Sequence, residues 1–413
     1  MMRAGSNLPA VSEYNQAVIL DAVRRSHEGI SRVEVATNTG LSAQTVSNIV
    51  RRLLGEGMVV EDGTRGTSVG KPRTILRLQP DARFAVGVHI DPSVITIVLL
   101  DLSGRIVGRR VINTTPETRA PDTMRRIAKS VKGVIARAAI DTDRVMGLGI
   151  AAPGPIDLAA GVVLNPPLLP GWHDVPIRHE LSKALNLPVI LEKDVTAAVT
   201  AEVWTGTPGD SSDMLFLYCG TGVGLGVVSG GEILRGFSGN AGDTGDLIAD
   251  ASFVESQNRS AAARVRGPVG WALSPRLTVE EAHSRKIVIS DPSEMTWVEI
   301  VNEYAMLMSQ REDPVVGQLV KETLGDLAHA MVTLVNLFDV ERVVFGGPYF
   351  SPLRSDVLIR LPTLVTQSPL YRLPHQVTFH SSVIGEDVAA VGAACLVLDR
   401  ALAPKSQALL IQR

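Results

Sequence analysis

At 413 residues the chain is too long for one small hydrophobic core and suits two or three domains, and 45% apolar with 20% charged residues is ordinary for a soluble globular protein. The opening MMRAGSNLPAVSEYN lacks the apolar core of a signal peptide, and no apolar run approaches the ~18 residues of a membrane span, so a cytoplasmic protein with no membrane partner is expected. The net charge of -3 is unevenly spread: residues 1–80 hold ten Lys and Arg against seven Asp and Glu, an excess of +3 that leaves -6 on the remainder and suggests an anionic partner at the N-terminal end.

In chain order, the spacing first predicts a helix from about Tyr14 to Arg25, burying Val18, Ile19, Ala22 and Val23. The stretch SRVE follows, in which Ser31 and Glu34 form a capping box for a second helix that stops at Thr39-Gly40. Ser42 caps a third helix, where Val46, Ile49, Val50 and Leu53 fall at i, i+3, i+4 and i+7 and face a core. The opposite face carries Gln44, Thr45, Ser47, Asn48, Arg51 and Arg52. Amides there can pair with adenine edges, and guanidinium groups with guanine or phosphate. Strand-like MVV and TILRL then flank a basic, glycine-rich tip in which Lys71 and Arg73 bracket Pro72, the pattern of a wing that reaches phosphates or a minor groove. Helix, turn, helix and basic wing in that order predict a DNA-binding domain; a small helical docking or dimerisation domain is the alternative.

From Arg83 the character changes. FAVGVHIDPSVITIVLLDLSGRIVGRRVI reads as a strand meander with turns at Asp91-Pro92 and Ser103-Gly104, followed by an amphipathic helix with Met124, Ile127, Val131, Val134 and Ala138 on one side. VMGLGI is a buried strand, and PVILEKD leads into the helix DVTAAVTAEVWTG. MLFLYCGTGVGLGVV and GEILRG repeat the meander, Asp313-Pro314 opens a long helix through Phe338, VERVVFGG is a further strand, and EDVAAVGAACLVLDRAL closes the chain. Two meander-then-helix passages imply two α/β lobes with a cleft between them. No helix follows Gly220, Gly222, Gly224 and Gly226, so the dinucleotide-binding reading of that loop fails.

The ordered motifs GIAAPGPID, GVVLNPPLLPGW, EKDVTAAVTAE, GTGVGLGVVSGGEILRG, GNAGDTGD and VVFGG resemble the ROK family of bacterial sugar kinases and winged-helix repressors, over nearly the whole chain. The N-terminal segment resembles the repressor branch. The resemblance implies an actin-like (ribonuclease H-like) two-lobed α/β domain behind a winged helix-turn-helix. The expected division is 1–80 for the DNA-binding head, 81–198 for the first lobe, and 199–413 for the second, with the last helix returning to the first. It also implies sugar-linked regulation and a homodimer or homotetramer.

Against the family's kinases, the D-x-G-G-T phosphate hairpin appears here as His89-Ile-Asp-Pro-Ser93. Pro92 offers no N–H, and a carboxylate at Asp91 would repel phosphate by ~4 kcal/mol per charge pair at ~4 Å and an effective dielectric of ~20, less where water screens it. Gly346 and Gly347 remain of the adenosine-side glycines, but Pro348 follows. Asp194 matches the family's catalytic base, whereas Lys193 replaces a sugar-binding Asn. Asp243 and Asp246 stand where a Glu and a zinc-ligating His are usual, Ala263 aligns with a further sugar-pocket Glu, and the zinc cysteines are absent, leaving only Cys219 and Cys395 in the chain. No metal and no cofactor are therefore expected. Asn165, Lys193, Asp194, Asp243 and Asp246 either form a remodelled effector pocket or cap turns in a vestigial one; Trp172 either faces a ligand or packs internally. The leading expectation is a repressor with operator DNA and a sugar-like effector as partners. The alternatives are an ATP-dependent sugar kinase with Asp194 as base, and a DNA-binding protein without an effector.

Overall fold

The computed structural model describes residues 8–26, 28–66, 72–114, 118–206, 212–245, 247 and 268–402. The head begins with Leu8–Arg25 (α1), continues through Ile30–Ser31 (β1), Arg32–Thr39 (α2) and Ala43–Gly55 (α3), and ends in Val59–Arg65 (β2) and Arg73–Leu78 (β3). Ser31 and Glu34 form the reciprocal capping box, Gly40 closes α2 in the left-handed conformation, and Ser42 accepts from the Thr45 N–H. The stripe Val46, Ile49, Val50 and Leu53 is buried. One expectation is corrected: α1 starts six residues before Tyr14, and Ala17, Ile19, Leu20 and Val23 are buried while Val18 and Ala22 are only partly covered. The stripe is rotated because α1 packs against the body as well as against α2 and α3.

The body holds two five-stranded mixed sheets. In the first, Phe84–Ile90 (β4), Val94–Asp101 (β5) and Ile106–Asn113 (β6) form an antiparallel meander; after Ala120–Arg137 (α4), Val145–Ala152 (β7) pairs parallel to β4. The short strands Ile156–Asp157 (β8) and Val162–Val163 (β9) form a hairpin, Ile177–Leu185 (α5) follows, and Val189–Lys193 (β10) joins β7 in parallel. Asp194–Thr205 (α6) crosses to the second sheet, where Met214–Cys219 (β11), Val223–Ser229 (β12) and Glu232–Ile233 (β13) repeat the meander. Pro268–Leu273 (α7), Pro275–Ser284 (α8), Trp297–Ser309 (α9) and Pro314–Phe338 (α10) then precede Arg342–Gly346 (β14), which pairs parallel to β11. Arg354–Thr366 (α11) leads to Thr378–Ser381 (β15), parallel to β14, and Val388–Leu402 (α12) returns to the first sheet. Strand orders β10-β7-β4-β5-β6 and β15-β14-β11-β12-β13 have the same topology, so the two lobes repeat one design.

Alternation along the strands explains how each sheet is covered on both faces. Phe84, Val86 and Val88 of β4 face a core with α4 and α5, while Ala85 and Gly87 face α12. In β11, Leu215, Leu217 and Cys219 face α7–α10, while Met214, Phe216 and Tyr218 face the α6–α12 layer. That middle layer is therefore shared by both lobes, and the 198/199 division of the sequence falls inside α6. Its core is also continuous with Ile19, Leu20, Val23, Val35 and Leu53 of the head.

Candidate functional site

The outward face of α3 presents amide and guanidinium groups. Gln44, Asn48, Arg51 and Arg52 are exposed, and Thr45 and Ser47 are half-buried beside them. The Gln44 amide donates to Asn48 Oδ1 at 3.3 Å, one turn apart, which lines the two amides up along the helix and leaves further donors and acceptors for base edges. Behind α3, the sheet β1-β3-β2 is braced by Arg32–Glu61 at 2.7 Å and Arg77–Asp62 at 2.6 Å. Arg65 reaches the Gly29 carbonyl at 3.3 Å and so ties the base of the wing to the turn before β1. Arg73 is exposed opposite Arg65 where the wing leaves the sheet, while Lys71 lies outside the described residues.

In the cleft, Asp91 opens the β4–β5 turn and is 3% exposed. One carboxylate oxygen accepts from Ser93 N at 2.9 Å and Ser93 Oγ at 2.6 Å; the other accepts from Thr221 N at 3.2 Å and Thr221 Oγ1 at 2.9 Å. Ser93 Oγ is hydrogen-bonded in turn to the Tyr349 hydroxyl, and His89 Nε2 to the Tyr218 hydroxyl at 3.2 Å. Thr221, Tyr218 and Tyr349 belong to the second lobe, so the first hairpin is stapled across the cleft at three places. Burial holds the His89 imidazole below its ordinary pKa and keeps the Tyr218 phenol well above its own. The donors that a phosphate would need are thus taken by the chain's own carboxylate, and the loss of the family's glycine is a replacement rather than a vacancy.

At the end of β10 in the same sheet, Asp194 begins α6 and accepts from the Val195 N–H at 2.7 Å. Burial raises its pKa to about 6; Lys193 and the Val195 hydrogen bond oppose the shift, while the Asp91 and Asp243 charges add to it. Asp243 is exposed and bridges to Gly224 of β12. Gly242, at φ +90, lets the loop lie against the Leu225 carbonyl, where a Cβ would come within 2.0 Å. Lys193 does not serve as a free ligand group: it is 7% exposed, and its Nζ donates to the carbonyls of Asn240 at 3.1 Å and Ala241 at 3.3 Å. It is a strut that holds the GNAG turn, helped by Asn240, whose amide exchanges two hydrogen bonds of 2.8 Å with the Ile156 backbone. Glu192 pairs with Arg235 at 2.9 Å on the same loop.

Asp91, Lys193 and Asp243 thus each lie within electrostatic reach of Asp194. Asn165 is exposed beyond β9, Trp172 is 1% exposed with its indole N–H 3.4 Å from the Thr118 carbonyl and so packs internally, and Asp246 and Ala263 lie outside the described residues. Among the described residues no group of His, Cys, Asp and Glu is arranged to hold a metal ion. The latch residues Ser93, Tyr218, Thr221 and Tyr349 were not anticipated from sequence. The available signal was D-P-S in a hairpin, since Asp two residues before Ser marks an Asx turn.

The geometry agrees with the comparisons. The ROK family profile matches residues 85–400, and a winged helix-turn-helix DNA-binding profile matches residues 18–60. The chain is a member of the ROK family. A xylose repressor of Caldicellulosiruptor bescii is 24% identical over 348 residues, 83% of this chain and 84% of that protein. A glucokinase of Thermotoga maritima is 26% identical over 326 residues, 76% of this chain and 97% of that one. A solved ROK family transcriptional regulator, described as a homologue of the E. coli MLC protein, superposes with a TM-score of 0.74 at 19% identity, covering 95% of this chain and 98% of its own. The actin-like two-lobed ROK domain behind a winged helix is thus the architecture of this chain.

Proposed function

We propose that this ROK protein is a transcriptional repressor of sugar-utilisation genes, acting in the cytoplasm as a homodimer or homotetramer, with the winged helix of 1–80 on operator DNA and an effector in the cleft between lobes 81–198 and 199–413. One observation carries the reading: a recognition helix with an exposed amide and guanidinium face is joined to a ROK domain whose phosphate hairpin is filled by Asp91. The similarity to xylose repressors along most of the chain supports the same conclusion and makes a pentose the first effector to try. The cleft residues favour an uncharged hydroxyl donor. Asp194 and Asp243 are acceptors and repel anions, and the Lys193 ammonium is spent on backbone carbonyls. Asn165 and Asp246 remain candidate contacts.

The test is fluorescence anisotropy on the protein's own upstream DNA against a scrambled duplex, across a salt series and with neutral sugars and their phosphates. Specific binding released by a neutral sugar and not by its phosphate is the expected result. Equal binding to both duplexes would overturn the repressor assignment. Release by the phosphate alone would overturn the effector class. Sugar-dependent ADP formation that disappears in Asp194→Asn would establish the kinase reading instead.

A further inference from the structure

The head is not carried on a free tether. The guanidinium of Arg24, in the last turn of α1, lies 4.0 Å over the ring of Trp204 and donates to the Trp204 carbonyl at 3.1 Å. Arg24 is held in that pose by Asp21, which accepts from it at 2.7 Å, and its side chain is only 9% exposed. The same indole is met by Gly104 of the β5–β6 turn: a Cβ there would come within 2.2 Å of the ring. The same turn receives the exit of the head, since Leu102 N donates to the Pro80 carbonyl at 2.8 Å. Trp204 is therefore in contact with both a head cation and a body turn.

Trp204 also belongs to α6, the helix that starts at Asp194 in the cleft. Twelve residues at ~1.5 Å each place the two ends ~18 Å apart on one rigid rod. The rod cannot bend independently of α12, because a Cβ at Gly392 would fall 1.7 Å from the Ala197 carbonyl oxygen, so the two helices touch backbone to backbone. Beside the joint lies a groove of roughly 1420 Å³ lined by Asp21, Arg24, Leu158, Trp204 and Phe237. The three staples at Asp91, Ser93 and His89 lie beside the start of α6, where Asp91 is close enough to act on the Asp194 carboxylate.

We infer that α6 is the coupling element between cleft and head, and that Arg24 is its positioning residue on the head, reading the placement of Trp204. The inference rests on the ligand-responsive repressor reading above. Coupling is reciprocal, so operator DNA alone must alter the cleft end of α6, and no effector need be known to test it.

The experiment is amide hydrogen exchange on the full chain with and without its upstream duplex, for wild type, Arg24→Gln and Arg24→Lys. In wild type, bound DNA should change exchange in residues 194–205 and 239–244 by about threefold or more. Arg24→Gln keeps a hydrogen-bond donor and removes the cation; it should bind the duplex with similar affinity, yet leave those segments unchanged. Arg24→Lys restores a cation over the ring and should recover at least part of the response. A melting curve for each variant separates lost coupling from lost folding, and if Arg24→Gln does not fold, Trp204→Phe takes its place, with a weakened response expected. Wild type that binds specifically without any change in 194–205, or Arg24→Gln that responds as wild type does, would overturn the coupling while leaving the repressor reading intact. Wild type that does not distinguish its upstream DNA from a scrambled duplex would overturn both.

Discussion

Asp91 receives four donors from two residues in two lobes, and its removal should be felt in stability. Asp91→Ala removes the acceptor of the Ser93 and Thr221 N–H groups and of the buried Thr221 hydroxyl, and a loss of about 2–4 kcal/mol is expected from urea denaturation, with Asp91→Asn losing less because it still accepts. Asp194 differs in sign. Its pKa of about 6 lies above the ordinary carboxylate value of 3.8, so its contribution to stability is fully present below that lower value and is lost as pH rises through about 6. Asp194→Asn should therefore stabilise the protein at pH 8, on the order of 1 kcal/mol once partial solvent screening is allowed for, with the gain vanishing by pH 4. Melting curves across that range check it, and an equal gain at both ends would show that charge is not the cause. A hydroxyl-donating effector prefers the ionised form, so its affinity should rise over the same interval.

At the scale of elements, close backbone contact governs the design. Gly149 of β7 sits where a Cβ would lie 1.7 Å from the Ala393 carbonyl oxygen of α12, and Gly87 of β4 meets Ala390 at 1.9 Å. Gly149→Ala must push α12 off the sheet, and we expect loss of cooperative unfolding or destabilisation of about 3 kcal/mol or more by overpacking against rigid backbone. On the head, Arg52→Ala should weaken binding to specific and scrambled duplexes alike and reduce the salt slope by about one, whereas Asn48→Ala should cost about 1–3 kcal/mol on the specific duplex alone. Much of this was legible in the sequence because caps and stripes are local: Ser31-Glu34, Ser42, the Asp313-Pro314 start and both meanders stand where their residues predict. The α1 start escaped because its apolar stripe serves two surfaces, and α11 because Pro362 lies inside it, where a missing N–H argues against helix. The anchoring of Lys193 was not legible for a different reason. A lysine beside a catalytic-type Asp reads as a ligand contact, but the carbonyls of Asn240 and Ala241 that claim it are distant in sequence. Cross-lobe staples have the same property, since neither partner announces the other.

For the whole molecule, the decisive feature is that one apolar core runs from Ile19, Leu20 and Val23 of the head through α12 and α6 to Phe216 and Val344 of the second lobe. A head with its own closed core would unfold separately and would need a hinge to transmit anything. A head whose core is completed by α12 and α6 cannot be separated without exposing apolar surface at ~25 cal/mol per Å², and small domains have little stability to lose. Residues 1–83 expressed alone should therefore melt without a cooperative transition, and in the full chain the head should unfold together with the body, as read by hydrogen exchange at α3 and at β4. An isolated segment that melts sigmoidally and binds the upstream duplex with the affinity of the whole protein would mean that the shared core is incidental. In that case the DNA-binding surface would be autonomous, and any control by the cleft would have to act through the spacing of two heads in an oligomer rather than through the orientation of each.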